Sequence, residues 1–163
     1  MGDEGVMGTE TAANLIDRRV MLLSVASAAS ILALLPEVAN AQDAQALEVA
    51  IKKAVGDAKP TEGRITLVLP EIAENGNTVP FELAVQSPMA DADYVKAVHV
   101  FAPGNPQIDV ATFLFTPASG KAAVASRMRL AKTQDVTVLA EMSDGKVFIT
   151  KRMVKVTIGG CGG

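Results

Sequence analysis

The residue of this chain best equipped for nucleophilic chemistry stands almost at its end. Cys161, the single cysteine of 163 residues, is centred in Gly159-Gly160-Cys161-Gly162-Gly163. A thiolate attacks electrophilic sulfur and can keep it as a covalent adduct. The flanking glycines place no side chains around the sulfur, so a narrow channel in another protein could admit it. Four glycines in five residues also lose too much entropy to settle as helix or strand, which predicts a mobile presenting arm. From Val156 to Cys161 is five residues, a reach of about 17 Å when extended.

The arm lacks a means of activating its own thiol. A free cysteine ionises near ~8.5. No histidine or helix N-terminus is local, Lys155 is the nearest base in sequence, and the terminal carboxylate at Gly163 opposes ionisation. Cys161 therefore reads as an acceptor and holder of sulfur whose activation comes from partners, and no catalytic residue is assigned to this chain.

Other residues of reactive type carry less. The lone His99 lies on an alternating face with Val95, Ala97 and Phe101, and is expected to be packed. Asp91, Asp93 and Asp109 fix no shared site, because acids are common in turns. One histidine and one cysteine make a metal site improbable, and none is assigned. Lys151, Arg152 and Lys155 form a basic set close to the arm, suited to attracting a small anionic substrate or an acidic partner rim, or simply to guarding a strand edge. No basic cluster marks a nucleic-acid surface.

The elements that must carry the arm follow from periodicity. Leu47, Ala50, Ile51, Ala54 and Val55 share one helical face, with Asp43 as expected N-cap and Gly56 closing the end. Beyond the Lys59–Gly63 break come seven β-rich segments: 64–69, 78–86, 94–102, 108–115, 122–131, 135–142 and 147–158. Glu74-Asn75-Gly76-Asn77 and Ser143-Asp144-Gly145-Lys146 read as turns, with glycine supplying positive φ in the first. The expectation is a mainly β, immunoglobulin-like antiparallel sandwich of about seven strands, with an N-terminal helix and a flexible C-terminal tail.

The first forty-one residues read as a leader. Arg18-Arg19 precede a mild Ala- and Ser-rich apolar run, which ends at Leu35-Pro36 and then Ala39-Asn40-Ala41, a small-x-small cleavage site. Paired arginines before such a core are a twin-arginine (Tat) signal, implying periplasmic export. The run is short for a membrane span and the leader has no cysteine, so no membrane anchor is expected. Cleavage removes five acids and two bases and takes the net charge from -3 to zero. The expected organisation is a cleaved signal at 1–41, helix and linker at 42–63, sandwich at 64–158 and cysteine arm at 159–163.

At this point the residues resemble a known family. The ending Val154-Lys155-Val156-Thr157-Ile158-Gly159-Gly160-Cys161-Gly162-Gly163 is similar to that of SoxY, the sulfur-carrier subunits of the bacterial Sox thiosulfate-oxidation system. Ser87-Pro88-Met89 before Tyr94-Val95, Asn105-Pro106, Phe115-Thr116-Pro117 and the stretch Arg129 to Gln134 agree with it. The resemblance implies a periplasmic heterodimer with SoxZ and covalent cargo on Cys161, as an S-thiosulfonate and then a persulfide, with no other cofactor. It further implies loading by the haem enzyme SoxAX, sulfate release by SoxB, and oxidation of the remaining sulfane by the dehydrogenase SoxCD. Two other functions compete on the residues alone. One is a ubiquitin-like carrier with a Gly-Gly thiocarboxylate. The other is a structural protein whose Cys161 makes an intermolecular disulfide. Prenylation fails because only two residues follow Cys161.

Overall fold

The structure is a computed structural model, and it describes residues 35–157. The leader arginines Arg18 and Arg19 and the arm, with Cys161 among Gly159, Gly160, Gly162 and Gly163, lie outside the described residues. The chain divides into two units, Met1–Ala39 and Asn40–Gly163, and of the first only the opening of a helix is described.

That helix, α1, spans Leu35–Val55. The expected N-cap at Asp43 does not form, because the Ala-rich sequence upstream continues the helix and leaves Asp43 inside it. Its carboxylate instead meets Lys132 Nζ at 2.7 Å. Gly56 closes the far end as expected, donating its N–H to the Lys52 carbonyl at 2.9 Å.

Strands follow at Thr61–Glu62 (β1), Ile65–Val68 (β2), Ile72–Ala73 (β3), Val79–Val85 (β4), Val95–Phe101 (β5), Asp109–Leu114 (β6), Ala122–Met128 (β7), Gln134–Met142 (β8) and Val147–Val156 (β9). A single 3-10 turn, Pro117–Ser119, joins β6 to β7. The seven longer strands are those expected from periodicity. β1 and β3 are two residues each, too short to show a period, and both pair with β9 in parallel. The antiparallel sheet expected from the sequence is therefore mixed along this one edge.

The strands form a larger sheet in the order β1-β9-β8-β5-β6, with β3 also on β9, and a smaller sheet in the order β2-β4-β7. The fold is an immunoglobulin-like sandwich. β4 shows why: Val79, Phe81, Leu83 and Val85 are buried, whereas Pro80, Glu82 and Ala84 between them are exposed. The buried set meets Val98 and Val100 of β5, Val136, Val138, Ala140 and Met142 of β8, and Val154 of β9.

A second core lies on the other face of the larger sheet. There Leu47, Ala50, Ile51, Ala54 and Val55 of α1 pack with Phe101, Leu139, Val147 and Ile149. The chain is thus helix on sheet on sheet, and β8 is buried on both faces. Each fully buried side chain of this kind contributes about 1.5–3 kcal/mol by leaving water.

Two local expectations are corrected. Gly76 has no positive φ. Glycine is required there by close approach: a Cβ would press on the Leu130 carbonyl oxygen and on Val156 Cγ1. The turn is held by the Asn77 N–H donating to Asn75 Oδ1 at 2.9 Å. Val95 does not share a face with His99. A register shift between Val95 and Ala97 turns Val95 into the inter-sheet core, while His99 and Phe101 face α1's side of the sheet.

Candidate functional site

The site expected from the sequence is the arm, and the structure describes its root. β9 brings Val154 into the core with no exposed surface, then runs on through Lys155, Val156 and Thr157. On one side β3 clamps it. The Lys155 N–H donates to the Glu71 carbonyl at 2.9 Å and the Thr157 N–H to the Ala73 carbonyl at 3.1 Å. On the other side the Val156 N–H donates to Thr133 Oγ1 at 3.0 Å. Below, Val156 packs against the core and limits what Gly76 can carry. Backbone order is therefore secured up to Thr157, four residues before Cys161. Those four residues reach about 14 Å when extended.

Sequence reasoning missed this clamp. β3 shows only one β-branched residue, and the role of Thr133 depends on a hydrogen bond across 23 positions. Asn105-Pro106 and Arg129 to Gln134, quoted for the family resemblance, also meet in space. Asn105 Nδ2 donates to the Arg129 carbonyl at 2.7 Å, and Asn105 Oδ1 accepts the Ala131 N–H at 2.9 Å and Gln134 Nε2 at 3.0 Å. Their joint work is to fix the turn that presents Thr133 to β9.

Ser87-Pro88-Met89 builds a second such corner. Ser87 Oγ accepts the Met89 N–H at 3.1 Å and donates to the Asp93 carbonyl at 3.1 Å. The buried Met89 is held at φ 51, a left-handed conformation that its side chain disfavours.

The remaining candidates are not gathered into a site. His99 is half-buried, stacked on Phe101 with ring centroids 6.2 Å apart, and its Nδ1 lies 3.1 Å from Thr112 Oγ1. Burial pushes its pKa below the ordinary value of 6.5, against a weaker upward pull from Glu141 and Asp109. Asp91 and Asp93 stand in the turn before β5, with Arg64 3.4 Å from Asp93, while Asp109 pairs with the opposite end of that strand. Among the described residues no group of three or more His, Cys, Asp or Glu could hold a metal ion. No helix among them is long and apolar enough to cross a membrane. Lys151, Arg152 and Lys155 are exposed on β9, and none forms a salt bridge with another described residue.

Comparison with known proteins agrees with this geometry. The sulfur carrier protein SoxY from Chlorobium limicola f. thiosulfatophilum superposes with a TM-score of 0.61 and is 36% identical, over 71% of this chain and 99% of that one. A superoxide reductase (neelaredoxin) from Ignicoccus hospitalis superposes at a TM-score of 0.52 with 15% identity, over 62% of this chain and 83% of its own. That second likeness shows the shared fold alone. No curated protein matches the chain. The family model for the sulfur oxidation protein SoxY matches residues 51–161, a stretch that ends on Cys161 itself. With that match and the 36% identical relative, the chain belongs to the SoxY family.

Proposed function

We propose that this chain is a periplasmic sulfur carrier that holds thiosulfate-derived sulfur on Cys161 and presents it to the enzymes of a Sox system. The observation that carries the reading is a family match running to Cys161, in a chain whose last strand is clamped up to Thr157. A rigid root and a glycine-flanked thiol suit presentation: the sandwich docks while the arm enters. The carrier supplies attachment and no catalysis of its own.

The chemistry opens with loading and a first hydrolytic release. In loading, the Cys161 thiolate and thiosulfate join through a new S–S bond, and two electrons leave to the haem enzyme SoxAX. In release, water attacks the sulfonate sulfur of the S-thiosulfonate under SoxB. Sulfate departs and Cys161 keeps a persulfide, which SoxCD oxidises further. SoxZ is the proposed permanent partner, and Arg18-Arg19 the export signal that brings the folded pair to the periplasm.

Intact mass spectrometry tests this. Incubation with thiosulfate and the partner enzymes is expected to add a reductant-labile adduct to Cys161, and Cys161→Ser to abolish it. Retention of full carrier activity by Cys161→Ser would sink the proposal. Sulfur found on the Gly163 carboxyl would do the same, in favour of thiocarboxylate chemistry.

A further inference from the structure

β9 has a gap along its outer edge. β1 pairs with it at Phe148 and Ile149, and β3 at Lys155 and Val156. Between those contacts the chain crosses to the smaller sheet as β2, which passes close to β9 without pairing with it, so no described strand is hydrogen-bonded to positions 150–154 on that side. Lys155 and Thr157 direct their N–H groups toward β3. By the two-residue alternation of a strand, the N–H groups of Lys151 and Met153 point out of the gap. Beside it lies a concavity of about 300 Å³ lined by Leu69, Glu71, Ile72, Arg152, Met153 and Lys155.

The chemistry of this surface is uneven. Ile72 and Met153 are large apolar residues left 56% and 59% exposed. Arg152 and Lys155 line the same concavity, and Lys151 lines a neighbouring one with Met153 and the start of the sheet-packed part of α1. All three are exposed without an ion pair to any described residue. Lys53, Lys59, Lys121, Arg127 and Arg129 share that state, whereas Lys52, Arg64, Lys96, Lys132 and Lys146 have such pairs. What sets the three on β9 apart is their place beside exposed apolar side chains at the root of the arm. Glu71 borders the concavity but forms no ion pair with these cations. Guarding a bare edge against aggregation would need the charges alone. It would not call for a concavity lined in part by exposed apolar side chains.

We propose that the gap in the β9 edge is the surface on which the enzymes acting on Cys161 seat an acidic rim. This rests on the reading of Cys161 as the carrier thiol. Lys155 precedes Cys161 by only six residues, so an enzyme whose channel receives the thiol has its rim close to the gap. Carboxylates of the rim pair with Lys151, Arg152 and Lys155, and the outward N–H groups offer further donors. Ile72 and Met153 supply the apolar contact. One surface built this way serves successive enzymes, because charge attraction steers each of them without fitting any one tightly.

The test uses the mature heterodimer with SoxZ, loaded with thiosulfate, and SoxB as the enzyme. Lys151→Glu/Arg152→Glu/Lys155→Glu is expected to raise the KM for the carrier about tenfold at low ionic strength, with kcat unchanged. The difference shrinks at high salt. Lys151→Gln/Arg152→Gln/Lys155→Gln gives a smaller rise in the same direction, and Lys121→Glu/Arg127→Glu on the other sheet gives none. A KM within twofold of wild type at low ionic strength overturns the proposal. So does loss of pairing with SoxZ in a charge-reversed carrier that still melts like wild type, because the gap would then be the subunit interface. Intact mass of the same samples separates the two layers: wild type without an adduct defeats the carrier reading, while a loaded carrier with unchanged KM defeats only the docking surface.

Discussion

His99 is the chain's only histidine, so its titration can be read without interference from another imidazole. Burial holds its folded pKa below 6.5. Above 6.5 the imidazole is neutral in both states and the full stability is present. As pH falls through 6.5 toward the lower folded value, the unfolded chain takes up a proton that the fold resists, and stability drops. The denaturant midpoint is therefore expected to decrease from pH 7.5 to 5.5 in wild type, and less steeply in His99→Gln. A wild-type midpoint that is flat across this range would contradict the burial of the ring. Thr137 makes a second test at this scale. It is 1% exposed and no described group bonds its Oγ1. Thr137→Val removes that hydroxyl at nearly constant shape, and is expected to leave stability unchanged or raise it by up to about 1 kcal/mol in chemical denaturation.

The turn around Gly76 and the end of β9 behave as one element. The Leu130 N–H donates to the Gly76 carbonyl at 2.7 Å, and Val156 packs over the same spot. Gly76→Ala would set a methyl group against the Leu130 backbone oxygen and Val156, and is expected to cost about 1–3 kcal/mol. Because Val156 is the neighbour displaced, hydrogen exchange at the amides of Val156 and Thr157 should accelerate more than at β4. Equal protection across both strands would show the root of the arm to be independent of this turn. Periodicity disclosed the long strands here, and the Asn-Gly pair disclosed the turn. The reason for the glycine was hidden, since it is a contact with residues 54 and 80 positions away.

At the scale of the molecule, the helix completes a three-layer arrangement in which the larger sheet has a core on each face. Leu139 is fully buried between β8 and α1, so Leu139→Ala should cost about 2–5 kcal/mol. Removing residues 1–59 should uncover Phe101, Leu139 and Val147 together, lowering the melting temperature and drawing in a hydrophobic dye. A shortened chain that melts like the whole one would mean that α1 contributes nothing to the fold. The apolar stripe of α1 packs on its own sheet, with Ala50 buried and Leu47, Ile51, Ala54 and Val55 half-buried.

Local chemistry in the sequence determined the seven long strands, the helix and the odd cysteine among glycines, because each depends on the period or the type of neighbouring residues. It also marked His99 as packed and Asp91, Asp93 and Asp109 as separate. Only the tertiary structure decided which face of the sheet α1 covers, that Asp43 lies within a helix, and that a bulge parts Val95 from His99. It alone placed β3 and Thr133 on either side of β9, so that the chain is held to Thr157 before the arm begins. These are contacts between residues far apart in sequence, made by two-residue strands and single hydrogen bonds, and no local period or composition encodes them.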